Sequence, residues 1–404
     1  MKLRGDNKPA AWRRRIAAFA LLACALALAP AIADAARRQQ PPTAPTVADG
    51  SAFRGDGMWI WYVSKAQGGD PARIAARARS RGIDTVYIKS GDADDNWSQF
   101  TPGLVAALKR GGLQVCAWQY VYGSDPVGEA KVGAAAAADG ADCLVIDAEA
   151  EYEGRYSQAR TYVNRLRAAV GDDFPVGLAG FPYVHYHPAY PYSVFLGPGG
   201  AEFNLPQVYW KAIGDSVDEA MTITYTYNRV YGRPISPIGQ LYDNPRGREV
   251  RRFRQIARAD GFAGTSWWSW QHASKRGFRS ATKRHIGRAR GYRPPSSYPK
   301  LEKGAQGDLV VWAQEHLAAG GYFDAEITGN YGILTSRGVR EFQGQLGLAP
   351  TGALDAATWK AMLADLDPVA PKWGSGGHGH GAAAKPVAAA PRSARLPARE
   401  NELR

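Results

Sequence analysis

Between residues 57 and 270 the sequence keeps switching between two hydrophobic periods, and that alternation constrains the fold more than any other feature. Short apolar runs rich in Val, Ile, Trp and Tyr read as strands: GMWIWYV (57–63), IDTVYIKSG (83–91), LQVCAWQYVYG (113–123) and DCLVIDAE (142–149). FPVGLAGFPYV (174–184), LPQVYW (205–210), RPISPIGQL (233–241) and GTSWWSW (264–270) continue the series. Stretches of helical period stand among them, at 71–82, 101–112, 125–141, 155–171, 215–232 and 244–261. Strands separated by helices must run parallel, because only a crossover connection returns the chain to the same end of the sheet. Eight strand candidates alternating with helices over about 225 residues have the size and pattern of a (β/α)8 barrel. The competing arrangement is a doubly wound open sheet. No G-x-G-x-x-G follows the first strand, so nothing supports a dinucleotide site there.

The fourth of these strands ends unusually. CLVIDAEAEYEG (143–154) drives an apolar run into four carboxylates, Asp147, Glu149, Glu151 and Glu153. A strand has period two, so Asp147 and Glu149 share a face. In a barrel that face points into the lumen near the C-terminal mouth, where active sites of this fold lie. A carboxylate next to another carboxylate and an apolar wall holds its proton to higher pH, as an acid catalyst must. Glu149, nearer the mouth, is the candidate proton donor. Asp147, deeper, is the candidate that orients Glu149 or stabilises positive charge. Glu151 and Glu153 are expected in an exposed loop.

The N-terminus has the build of a secretory leader: basic residues through Arg15, an Ala/Leu-rich apolar run, and A-x-A triplets that allow cleavage after Ala33 or Ala35. The expected organisation is a signal peptide over 1–35, a linker over 36–52, the barrel over 53–278 and a basic linker over 279–300. A compact unit over 301–366 and a disordered Ala/Pro/Gly-rich tail over 367–404 complete it. Without the leader, Cys116 and Cys143 remain, on neighbouring strands. Cys143 shares the parity of Asp147, and the two cysteines come within disulfide reach if Cys116 faces the same way. No Cys/His cluster has metal-ligand spacing, and the HGH at 378–380 reads as an incidental pair. No metal or other cofactor is expected. A net charge of +13 points to an anionic partner, and arginines crowd the stretch 246–293. With export expected, that partner is an anionic wall polymer rather than nucleic acid, with no stable membrane anchor after cleavage.

The 301–366 unit carries three short helical patterns joined by Gly-rich turns. Its Gly304, Gly307, Val310, Gln314 and Leu317, then Gly321-Tyr322, the turn TGNYG ahead of Thr335, Phe342-Gln343, and Gly352 with Thr358-Trp359 and Leu363 follow one pattern. That pattern closely resembles the three-helix peptidoglycan-binding domain. The resemblance implies a peptidoglycan ligand and a protein secreted to the cell wall.

More loosely, residues 53–278 resemble the barrels of family 25 lysozymes and family 18 chitinases. Both end their fourth strand in D-x-E, here Asp147-Ala148-Glu149, and SWWSW is similar to the strand whose Trp floors the sugar site. The resemblance implies a glycoside hydrolase acting on N-acetylated glycan, with the substrate's acetamido group as nucleophile. It places Gln207, Tyr209 and Trp268 around the sugar. Tyr120 is a further candidate there, and if a second carboxylate must act in place of the acetamido group, Asp243 at the end of the seventh strand is the next candidate. The chain lacks the first-strand Asp of the lysozyme group and the earlier acids of D-x-x-D-x-D-x-E. These departures favour the alternative, a degenerate barrel that holds glycan without cutting it.

Overall fold

The structure, a computed structural model, describes residues 51–281 and 285–368. The expected leader, the linker up to residue 50 and the tail beyond 368 with its HGH pair lie outside the described residues.

Among the described residues ten strands are formed: β1 Gly55–Ile60, β2 Thr85–Asp92, β3 Asp95–Asn96, β4 Gln114–Val121, β5 Cys143–Ala148, β6 Val176–Ala179, β7 Phe203–Asn204, β8 Gln207–Val208, β9 Ile238–Gln240 and β10 Gly264–Trp268. Their order is β7-β6-β5-β4-β2-β1-β10-β9-β8, with β3 folded back antiparallel on β2. All other pairings are parallel. The two ends of that order are consecutive pieces of one extended segment, interrupted at Pro206, which has no N–H to give. On one side Leu205 donates to the Leu178 carbonyl (2.7 Å) and Gln207 to that of Gly180 (3.0 Å). On the other, Ser236 donates to Asn204 (2.8 Å) and Ile238 to Pro206 (2.9 Å). The sheet therefore closes on itself as the expected parallel barrel.

The first three outer helices start alike. Asp70, Thr101 and Asp125 each cap a helix with a side-chain oxygen, and a proline follows at the first helical position: α1 Pro71–Arg79, α2 Pro102–Arg110 and α3 Pro126–Ala138. Next come α4 Tyr156–Val170, the four-residue α5 Tyr192–Phe195 and α6 Trp210–Ile213, then α7 Val217–Asn228, α8 Gly247–Ala259 and α9 Lys275–Ala281.

Strand parity sorts the core into two. Met58, Ile60, Val86, Ile88, Leu144 and Ile146 face outward and pack under the helices. Trp59, Tyr87, Trp118, Val145, Phe203 and Tyr209 fill the lumen. Phe53 plugs the bottom against Phe203, with ring centroids 4.7 Å apart. Cys116 and Cys143 are register partners in the lumen layer, with Cα atoms 4.6 Å apart, and form a disulfide. The bond left open by the sequence is present.

One outer position is filled in an unusual way. Between β6 and β7 the barrel has only a single turn at Val184–Tyr186 and the short α5, where a full helix belongs. The C-terminal unit consists of α10 Asp308–Ala319, α11 Ile333–Gln345 and α12 Ala356–Asp365. Its first helix takes up that gap. Asp308 accepts from the Ser193 amide (3.0 Å), the Ser193 hydroxyl (2.7 Å) and the Tyr231 hydroxyl (2.8 Å). Trp312 donates its indole N–H to Val230 O at 2.7 Å and packs on Tyr231. Gly307 approaches Pro188 so closely that a Cβ would come within 2.6 Å of it. Every residue of α10 from Asp308 to Leu317 is buried, whereas a helix of a free-standing small bundle keeps one face in water. Residues 285–300 are held along the barrel wall on the way there. Arg252 reaches Arg290 O (2.9 Å), Arg229 reaches Pro295 O (3.0 Å) and Trp359 reaches Pro299 O (2.7 Å).

Candidate functional site

The mouth of the barrel lies at the C-terminal ends of the parallel strands, and β5 delivers its acids there. Asp147 is buried at the last turn of the lumen and Glu149 one step above it is partly buried. One side chain joins them: the Gln207 amide donates to Asp147 Oδ1 at 3.2 Å and to Glu149 Oε1 at 3.1 Å. Burial pushes the Glu149 carboxyl up to about 7. Glu151 adds to that shift and the Gln207 hydrogen bond works against it. Asp147 is raised well above the usual carboxylate range, by burial first and then by Glu149 beside it, with the Lys89 ammonium opposing. Two carboxylates served by one amide are poised to keep a proton near neutral pH.

The remaining residues expected around the sugar fall into two groups. Tyr209, at the end of β8, is buried in the lumen, and the fields of Asp147 and Glu149 raise its hydroxyl further beyond the effect of burial. Trp268, closing β10, meets Trp118 at 5.3 Å and both Trp59 and Trp61 at 5.7 Å between ring centroids, completing an aromatic floor. Tyr120, at the end of β4, donates to Glu151 Oε2 at 2.9 Å. Asp243 stands apart. It follows β9 in a left-handed turn with φ of 57°, its side chain is exposed, and Lys211 pairs with it at 3.0 Å. Tyr242, beside it, packs edge-on against Tyr209 at 5.4 Å and senses both Asp243 and Glu149.

Two expectations about the acidic run divide. Glu153 is exposed and pairs with His187 at 2.7 Å. Glu151 is not in an exposed loop. The single 3-10 turn Ala150–Tyr152 folds it back over the mouth onto Tyr120, and Tyr152, buried beneath, pins the turn.

Lys89 and Asp92 are the site residues that sequence reasoning missed. Lys89 is only 3% exposed and pairs with Asp92. Its ammonium lies 4.2 Å from the Trp97 ring centroid, 5.1 Å from that of Trp118 and 5.3 Å from that of Trp61. Tyr122 donates to the other Asp92 oxygen at 3.0 Å. A signal was present: Lys89 shares the parity of Tyr87 in a strand buried on both faces. A buried lysine in such a run needs aromatic or anionic company. Among the described residues no group of three or more His, Cys, Asp or Glu could hold a metal ion, and no helix is long and apolar enough to cross a membrane.

Residues 306–362 match the family described as "Putative peptidoglycan binding domain". The C-terminal unit carries a peptidoglycan-binding domain. Its motif glutamines are structural. Gln314 takes the Thr328 and Gly329 amides and gives to Asn330 O, while Gln343 clamps Gly352, Ala353 and Thr358. The chain matches none of the curated proteins it was compared with. Among solved structures it is similar to the spore cortex-lytic enzyme SleL of Bacillus cereus, at 10% identity over 56% of this chain and 73% of that one, TM-score 0.43. A chitinase of Chromobacterium violaceum is similar at 11% identity over 56% and 98%, TM-score 0.44. An endo-beta-1,4-mannanase of Thermotoga petrophila is similar at 11% identity over 55% and 69%, TM-score 0.42. These likenesses concern the fold alone.

Proposed function

We propose that the chain is an exported, wall-associated glycosidase that cuts N-acetylated glycan of peptidoglycan at the barrel mouth, with its C-terminal domain holding the wall. The observation that carries this reading is the Asp147–Gln207–Glu149 cluster, in which one amide joins a buried carboxyl to a partly buried one pushed up to about 7, in a barrel whose lumen also holds the Trp118 and Trp268 rings. Glu149 gives its proton to the glycosidic oxygen as the C1–O bond breaks, and the bonding pair leaves with that oxygen. The acetamido oxygen of the substrate closes on C1, with Asp147 accepting the acetamido N–H. Water then opens the ring intermediate at C1 and returns a proton to the Glu149 carboxylate. Trp268 offers a flat apolar face to a sugar ring, and Gln207 holds the two carboxylates in place.

The test compares wild type with Glu149→Gln on purified peptidoglycan. Release of reducing ends by wild type, lost in the variant with sedimentation onto wall unchanged, is the expected result. The second reading, a barrel that binds glycan without cutting it, draws on Asp243. That acid is exposed and tied to Lys211, so it adds no carboxylate to the pair on β5. Wild type that releases no reducing ends from peptidoglycan or chitin, yet binds them in a manner sensitive to Trp268→Ala, would establish that reading instead.

A further inference from the structure

The net charge of this protein sits almost wholly in one place. Residues 246–293 contain fourteen Lys and Arg against two acids, a net of +12 beside the chain's +13. The C-terminal unit 301–366 is the opposite, with eight acids against four bases. Much of the described part of that segment lies on one face. Helix α8 turns Val250, Phe253 and Ile256 inward and leaves Arg248, Arg251 and Arg258 exposed. Helix α9 lies alongside, so close that a Cβ on Gly247 would come 2.6 Å from Ser280 Oγ, and adds exposed Arg276 and Arg279. The extended segment 285–293 that follows is tied across α8 by Arg252 to Arg290 O (2.9 Å) and Gln255 to Ile286 O (2.5 Å), bringing exposed Arg288 and Arg290.

The nearby acids are already engaged. Asp218 is held by Arg252, Glu249 accepts from the Arg246 amide, and Asp260 accepts from Tyr292. Among the described residues no ion pair neutralises the exposed arginines of α8 and α9. Twelve of the fourteen cations are Arg, whose planar fork matches phosphate oxygens two at a time. Residues 248 to 258 alone extend about 15 Å along a helix, a span suited to a linear polyanion rather than a single ion. Among the described residues the large exposed apolar side chains are Tyr186, Ile333, Leu334 and Leu346, none of them in α8, α9 or the segment after them, and the Tyr292 ring there is half-buried beside Arg252, so bases find no fully exposed ring to stack on.

We propose that the α8–α9 face is a docking surface for a phosphodiester polymer of the cell wall, separate from the glycan mouth and from the peptidoglycan-binding domain. The test uses full-length protein and a variant carrying Arg248→Gln, Arg251→Gln, Arg276→Gln and Arg279→Gln. Exposed substitutions of this kind leave the melting temperature nearly unchanged. Titrated with poly(glycerol phosphate), the variant binds at least tenfold more weakly. Its dependence of log Kd on log salt is shallower by up to about four, one for each contact removed. Wild type sediments more strongly with whole wall than with wall stripped of phosphodiester polymers by acid extraction, and the variant loses that difference. Equal binding of poly(glycerol phosphate) by both proteins overturns the proposal. So does tighter binding of wild type to single-stranded DNA than to poly(glycerol phosphate) at the same salt, which makes the face a nucleic-acid surface.

Discussion

Two of the molecule's buried acid sites are treated in opposite ways. Asp308, at the start of α10, is fully buried and receives the Ser193 amide, the Ser193 hydroxyl and the hydroxyls of Tyr231 and Tyr156. Asp147 and Glu149, at the barrel mouth, share the single amide of Gln207. A buried carboxylate with its lone pairs filled is part of the architecture. A buried pair left short of donors raises its own proton affinity and persists where chemistry uses it. Both sites hold protons more tightly than free carboxylates, Asp308 up to about 6 and Glu149 up to about 7, and in both burial is the leading cause. What separates them is the count of donors, and each prediction below presses on that difference.

The largest effect is expected at the mouth. Glu149→Gln should cut release of reducing ends by about a hundredfold or more while leaving the melting temperature unchanged or slightly higher. Asp308→Asn should do the reverse. It turns an acceptor-only group into one whose amide faces hydroxyl donors, and should cost about 2–4 kcal/mol of stability by denaturant titration. Its rate below the melting range should stay near wild type. If the two substitutions gave the same balance of rate and stability, the distinction between the sites would fail.

The pH dependence comes next. A group whose pKa is raised on folding stabilises the fold fully below its unfolded value and loses that contribution as pH rises through the folded value. Stability should therefore decline from about pH 4 upward, through about 6 for Asp308 and about 7 for Glu149. Asp308→Asn should flatten the lower part of that decline and Glu149→Gln the upper part. The rate should fall about tenfold per pH unit above 7, as Glu149 loses its proton. The smallest effect belongs to Glu151→Gln. Removing a carboxylate that raises Glu149 should move the alkaline limb of the rate profile to lower pH by a fraction of a unit, at a few-fold cost in rate.

Local patterns announced the barrel because period and parity are local properties. The Asp-Pro and Thr-Pro starts marked α1 to α3, and the spacing of Cys143, Asp147 and Glu149 placed all three on the lumen side. Residues 203–208 were harder to read. They serve two neighbours in succession across Pro206, which neither a propensity nor a period reveals. Glu151 reads as a loop acid because nothing in AEAEYEG shows that Tyr152 will bury and turn the carboxylate back onto Tyr120. Lys89 shares the lumen parity of Tyr87, but its partners Trp61, Trp97 and Trp118 come from separate stretches of the chain and only the fold brings them around it. The stretch 185–202 has no helical pattern, but only the folded chain shows that a helix more than a hundred residues later completes the wall there.

That borrowed helix changes what kind of tether this is. A binding module on a flexible leash searches a volume and presents its partner at an effective concentration set by leash length. Here there is no slack, because the segment carrying Asp308 and Trp312 is mortared into the barrel wall and residues 285–300 are strapped down before it. On the proposed function, a glycan strand gripped by the C-terminal domain would meet the mouth at one fixed offset, and the molecule would serve as a gauge. It would set where along the strand the mouth acts, and loosening the Trp312 contact would blur that setting without touching either the grip or the acids.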